Sequence, residues 1–215
     1  ILLLGWIIYP ITRFFLAGLP DRGYTFSRLI GILVVAYLAW LAGSIGFSFS
    51  RLTISILLVL LLLINGLIFV RKRTDILDEV KKNRRLILTA ELVMLAFFLV
   101  DLAIRIGNPD LWHPWKGGEK PMDLSYFTAV LKSTTFPPYD PWYSGGYINY
   151  YYYGFVVVGV LVKWLGIQPA VAYNLIIPTL FALTGLGAFG IGWNLFSRRD
   201  TTDTEDDPQS RIAGK

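Results

Sequence analysis

LTISILLVLLLLINGLIFV (52–70), followed at once by RKRTDILDEVKKNRR (71–85), decides the fold. At 1.5 Å per residue the first segment is about 28 Å long as a helix, close to the ~30 Å of a bilayer's hydrocarbon core. In that core a lone segment satisfies its backbone N–H and C=O groups only as an α-helix. The second segment carries seven Lys or Arg in fifteen residues. A basic run of this density beside a span is the mark of a cytoplasmic loop.

Outward from this pair the same pattern repeats. Apolar runs cover Leu29–Phe47, Leu86–Ile104, Tyr151–Leu165 and Val171–Phe196, with short turns at 48–51 and 166–170. Residues 1–19 form a further apolar run broken by Pro10 and Arg13, and LPDRGYTFSR (19–28) is a polar turn. Overall the chain is 54% hydrophobic and 16% charged, with a mean hydropathy of +0.54. Soluble domains carry roughly a quarter charged residues. The expectation is an all-α, polytopic transmembrane helical bundle of about six spans.

Three parts are expected: N-terminal hairpins and the basic loop over 1–85, a core over 86–197, and a flexible polar tail over 198–215. Ile1 is not Met and already lies in an apolar run, so the chain reads as a piece of a longer one. No basic n-region or small-residue cleavage site marks a signal peptide in residues 1–19. With 71–85 inside, parity puts 18–28 inside, 105–150 outside and the tail outside, in what is expected to be the plasma membrane. The net charge of +5 follows this topology and forms no basic face, so nucleic acid is not expected as a partner. Without cysteine there is neither a disulfide framework nor a thiolate metal site.

Residues 105–154 are the long polar interruption: RIGNPDLWHPWKGGEKPMDLSYFTAVLKSTTFPPYDPWYSGGYINYYYYG. About fifty residues exceeds what a turn between helices needs, which marks a working surface. NPDLWHPW (108–115) sets two Trp around His113, the chain's single histidine. The tryptophans suit interface anchoring, while His113 and Asp110 form a weak metal or proton-transfer pair. In GGEKPMDLSYFTAVLKS (117–133), Pro121 and Asp123 suit a first helical turn. Met122, Tyr126, Phe127, Val130 and Leu131 recur at helical spacing, so an amphipathic helix lying along the membrane surface is expected. It would carry Glu119 and Asp123 at its start.

In FPPYDPWYSGGYINYYYYG (136–154), Pro-Pro and Asp140-Pro force extended or turn geometry. The run Tyr150, Tyr151, Tyr152 and Tyr153 cannot all face one way at 100° per residue, so some rings must point into the protein. Part of the run suits an aromatic belt. The hydroxyls, with Asn149, also suit a phosphate or a sugar.

Together NPDLWHPW, GGEKPMD, PPYDPWYSGG and NYYYYG resemble the "YYY" family of polytopic membrane proteins, a domain of unknown function named for its tyrosine run. That family is similar, more distantly, to the GT-C superfamily of glycosyltransferases, which use polyprenyl-phosphate sugars. The shared order is a span, a large external loop with one or two carboxylates, an interfacial helix, and a Pro or aromatic motif entering the next span. The resemblance implies transfer of a sugar from a polyprenyl-phosphate donor, with Glu119 as the base that deprotonates the acceptor and Asp123 as its substitute. It implies a divalent metal as an option. Two features depart from the superfamily pattern: Gly118-Glu119 stands in place of an Asp-Glu pair, and the tyrosine run in place of Pro-Pro-Leu.

Three function classes follow. A glycosyltransferase needs a carboxylate base and positive charge or donors at the lipid phosphate, for which Arg105, Lys116, Lys120 and the tyrosines stand at the right depth. A non-catalytic membrane assembly subunit fits the apolar bulk and gives the long loop no task. A transporter would place charges within spans. Among the carboxylates only Glu91 and Asp101 do so, and each is expected to have a cheap partner, Asp101 with Arg105 four residues on and Glu91 beside Arg84 and Arg85. The membrane lipids are the expected surroundings in every case, and the acceptor is not specified.

Overall fold

A computed structural model of the chain describes residues 1–109 and 118–197, and among them eight helices and no strand. They are α1 (Leu2–Phe15), α2 (Ser27–Ser44), α3 (Arg51–Arg71), α4 (Arg73–Lys82), α5 (Arg84–Gly107), α6 (Lys120–Lys132), α7 (Tyr152–Leu165) and α8 (Pro169–Phe196). Four of them, α2, α3, α5 and α8, are long and apolar enough to cross a membrane. The all-α membrane architecture expected from hydropathy is the one observed, with four helices of spanning length in place of the six spans expected, because α1 and α7 are shorter. The expectations for Asp110, His113, Lys116 and the tail 198–215 lie outside the described residues.

Local signals set the helix ends. The Ser50 hydroxyl accepts the Thr53 N–H at 3.2 Å and caps α3. Pro121 and Pro169 occupy the first turns of α6 and α8, where a missing N–H leaves no helical bond unmade. Gly166, at φ +71°, ends α7 in the left-handed conformation that glycine adopts without strain. The basic segment 71–85 is largely helical, and α4 docks through its single buried residue, Ile76.

α5 and α8 run antiparallel along their length. Arg105 Nε donates to Asn174 Oδ1 at 2.6 Å near one end, Phe97 meets Phe181 at 5.1 Å in the middle, and Ala90 and Leu186 share a buried cluster further on. A Cβ at Gly185 would collide with Phe97, and one at Gly190 with Thr25. Small residues thus let backbones approach where helices pack in lipid. The main core joins α2 and α7 through Val35, Ala36, Ala39, Val156 and Val160. Outward-facing leucines of α3, such as Leu62, Leu63 and Leu67, are half exposed or more. On a membrane protein such a face meets acyl chains.

One end of the bundle is a polar knot. Glu79 of α4 binds Arg13 bidentately and Arg22 at 3.3 Å. Asp21 accepts the N–H groups of Gly23 and Thr25, while Asn194, near the end of α8, accepts the Asp21 N–H at 3.1 Å. Glu91 pairs with Arg28, buried to 1% exposure, and accepts the Tyr24 hydroxyl. The expectation that Glu91 serves Arg84 and Arg85 is corrected: its cation comes from α2.

The same contacts revise the parity of the crossings. α7 has 14 residues, about 21 Å of helix, and both its ends are held at the end of the bundle opposite α4. At its start the Tyr152 hydroxyl accepts the Trp40 indole N–H at 3.0 Å, close to the end of α2. At its finish Lys163 Nζ donates to the carbonyls of Leu131 and Ser133 and lies 4.4 Å from the Phe49 ring, and the Trp164 indole donates to Ser55 in the first turns of α3. The chain therefore enters α8 from the α6 side, and α8 ends beside loop 16–26 and α4. The parity expectation put the chain end on the side away from 71–85. Asn194 at Asp21 shows α8 finishing on the same side.

Candidate functional site

α6 is the scaffold of the site. Its buried Phe127 faces the α7–α8 seam and clusters there with Val162 and Ala172, while its buried Val130 joins the main core with Phe136, Val156 and Val160. Asp123, one turn before Phe127, is thereby carried to the same seam. The expected helix is observed with the expected apolar stripe, packed against protein on this face.

There Asp123, Tyr151 and Tyr173 stand on a cavity of about 350 Å³ floored by Phe155, Val158, Ile176 and Leu180. Partial burial, and then the negative charge of Glu119, hold the Asp123 carboxyl above the usual carboxylate range. Local desolvation also raises the hydroxyl of Tyr151, whose residue is exposed, with Asp123 and Glu119 adding to the effect. Tyr151 has φ +31°, an uncommon conformation for a residue with a side chain, and it directly precedes α7. Glu119 precedes α6 and is exposed, while Lys120 opens the helix.

Arg105 is tied to this cavity through α8. Tyr173 lies within electrostatic reach of both Asp123 and Arg105. Arg105 donates to Asn174 Oδ1 and, at 3.2 Å, to the Asn108 carbonyl, whereas its Nη2 is buried and without a hydrogen-bond partner among the described residues. The expected helix-face ion pair with Asp101 is corrected. Arg105 turns to α8, and Asp101 Oδ2 is likewise buried without a partner.

The tyrosine run divides at the start of α7, since Tyr150 and Tyr151 precede the helix and only Tyr152 and Tyr153 belong to it. Tyr151 goes to the carboxylate cavity and has Tyr150 against its ring at 4.0 Å. Tyr152 and Tyr153 turn to Trp40, the first by its hydrogen bond and the second edge-on at 5.6 Å. Asn149 joins Tyr37, Trp40 and Tyr151–Tyr153 around a separate aromatic hollow. Asp140 is drawn away from the carboxylate cavity altogether: it accepts the Trp142 N–H at 2.8 Å on the other face of α6. Sequence reasoning brought all these groups to one surface. It missed Tyr173 and Asn174, which sit in an apolar helix with no signal beyond their polarity.

Below the cavity the apolar floor continues. Val158, Ile176 and Leu180 also line a second hollow of about 250 Å³, walled by Leu29 and Ile32 of α2, Phe98 of α5 and Leu161 of α7. A carboxylate at the mouth and hydrocarbon behind it form an amphiphilic site. Among the described residues no group of three or more His, Asp or Glu is placed to hold a metal ion.

A family model described as "Uncharacterized membrane protein (DUF2298)" matches residues 34–213, and the chain belongs to that family. No curated protein and no solved structure matches the chain.

Proposed function

We propose that this DUF2298 protein is a membrane glycosyltransferase that moves a sugar from a polyprenyl-phosphate donor to an acceptor hydroxyl. The observation that carries it is the amphiphilic site itself, with Asp123, Tyr151 and Tyr173 at the mouth and the α7–α8 hydrocarbon groove behind. Such a shape suits a ligand with a polar head and a long unsaturated tail, whose burial contributes roughly 25 cal/mol per Å².

In the reaction, the acceptor oxygen forms a bond to the sugar's anomeric carbon as the bond from that carbon to the phosphate oxygen breaks. The phosphate leaves with the electron pair, and the acceptor proton passes to a carboxylate. Asp123 is the better base because it lines the cavity, whereas Glu119 is exposed one turn earlier and acts on Asp123 through its charge. Arg105, whose Nη2 has no hydrogen-bond partner among the described residues, and Lys120 supply positive charge for the leaving phosphate. The positive-inside bias of basic α4 supports a cytoplasmic side for its end of the bundle, and on this reading α6 works at the outer face of the plasma membrane.

A polyprenyl phosphate carrying a photoactivatable group in its isoprenoid chain tests the groove in the full-length protein. Cross-links concentrated on Val158, Ile176 and Leu180 are expected. Cross-links spread over the lipid-facing leucines of α3 would contradict the site and leave a non-catalytic assembly subunit as the better account.

A further inference from the structure

The far face of α6 carries a second site. Pro121, Leu124, Ser125, Thr128 and Lys132 follow one another at intervals of one to four residues on the stripe turned away from Asp123, Phe127 and Val130. They line a groove of about 610 Å³, within the ~300–1,000 Å³ of small-molecule sites, whose other wall is the turn Tyr139–Trp142.

We propose that this groove binds a pyranose unit of a glycan. Its assignment as the acceptor rests on the transferase reading, whereas the saccharide site itself does not. A pyranose ring presents C–H bonds on its faces and hydroxyls around its edge. It therefore calls for aromatic faces, which carry negative charge, and for mixed donors and acceptors in the plane between them.

Both are present. Trp142 and Tyr139 are 63% and 66% exposed, yet each ring is fixed. The Trp142 indole N–H donates to Ser125 Oγ at 2.7 Å, and its backbone N–H donates to Asp140. Tyr139 stacks on Tyr147 at 4.8 Å within a tight turn closed by the Asp140–Gly146 and Ile148–Pro138 backbone bonds. An interface anchor needs no such fixing, since a ring among headgroups gains from its freedom. Rings held rigid while exposed are pre-organised for a ligand.

The polar complement weighs against a ligand carrying a single net charge. Lys132 and Asp140 set one cation and one anion on the groove, so a charged ligand would meet a like charge on one side. The Thr128 hydroxyl donates to the Leu124 carbonyl and keeps its lone pairs for a ligand donor. A neutral polyol matches this set. Pro121 of the groove and Asp123 of the cavity both lie in the first turn of α6, so one glycan rounding the helix start reaches both.

The test presents full-length protein in nanodiscs to a printed array of α- and β-linked hexose and N-acetylhexosamine di- and trisaccharides. Selective binding is expected, weakened at least tenfold in Trp142→Ala and in Tyr139→Ala, and kept within twofold in Leu67→Ala, on the exposed face of α3. Both aromatic variants change exposed side chains, and an unaltered circular dichroism spectrum checks that they fold. Absence of binding to every glycan, or binding indifferent to both aromatic variants, overturns the proposal. Aromatic-dependent binding in a protein that takes no polyprenyl phosphate keeps the saccharide site and removes the word acceptor.

Discussion

Asp123→Asn is expected to lower sugar transfer by about 10²–10⁴-fold, the usual contribution of a positioned proton acceptor, while donor binding stays within a few-fold. The amide preserves the shape of the side chain at the cavity mouth and removes its basicity. Radiolabelled sugar release from a polyprenyl-phosphate donor, measured beside donor binding, separates the two effects. The pH profile adds a readout that a structural role would not move. Burial and Glu119 raise the Asp123 pKa, and the base works only when ionised, so activity should fall with falling pH at values above the ordinary aspartate pKa of about 3.9. Glu119→Gln removes one of the two causes and should shift that acid limb to lower pH with activity retained. For stability the sign runs the other way: the fold favours protonated Asp123, so its contribution is fully present at low pH and is lost as pH rises through the raised pKa.

A second large effect belongs to the other end of the bundle. Glu91→Ala should destabilise the protein by about 3–5 kcal/mol, because it strands the Arg28 guanidinium in a site that water does not reach. Arg28 is 1% exposed, its Nε and Nη1 already lack partners among the described residues, and its Nη2 is bound to Glu91. The loss also takes away the acceptor of the Tyr24 hydroxyl proton. Thermal unfolding in detergent, followed by circular dichroism, reads the change. The double variant Arg28→Met with Glu91→Leu should recover most of the loss, since an apolar pair of similar volume needs no counter-charge. A double variant no more stable than Glu91→Ala would show that the pair holds α2 to α5 by more than its charges.

The sequence carries much of this fold in its hydropathy. Leu52–Val70 differs from α3 by one residue at each end, and Pro121 with Asp123 marks the start of α6. These features are local, set by span length, capping and the place of proline. The path of α7 is not local. Its run of valines reads as a crossing, and distant contacts such as Lys163 reaching the Leu131 and Ser133 carbonyls, some thirty residues earlier, show that it stays on the α6 side. The same holds for charge pairing. Nearby arginines explain Glu91 in sequence, yet its partner Arg28 is 63 residues away. In the site, the carboxylates and tyrosines are visible as residue types, but which of them share a cavity depends on the rotation of α6. That rotation sends Asp123 to the seam and Ser125, two residues on, to the opposite groove.

Native mass spectrometry of the gently extracted full-length protein tests the donor site most directly. The account predicts a retained or added polyprenyl phosphate that is lost in Arg105→Ala and kept in Asp123→Asn. Bulk phospholipid alone, even after polyprenyl phosphate is supplied, would contradict it.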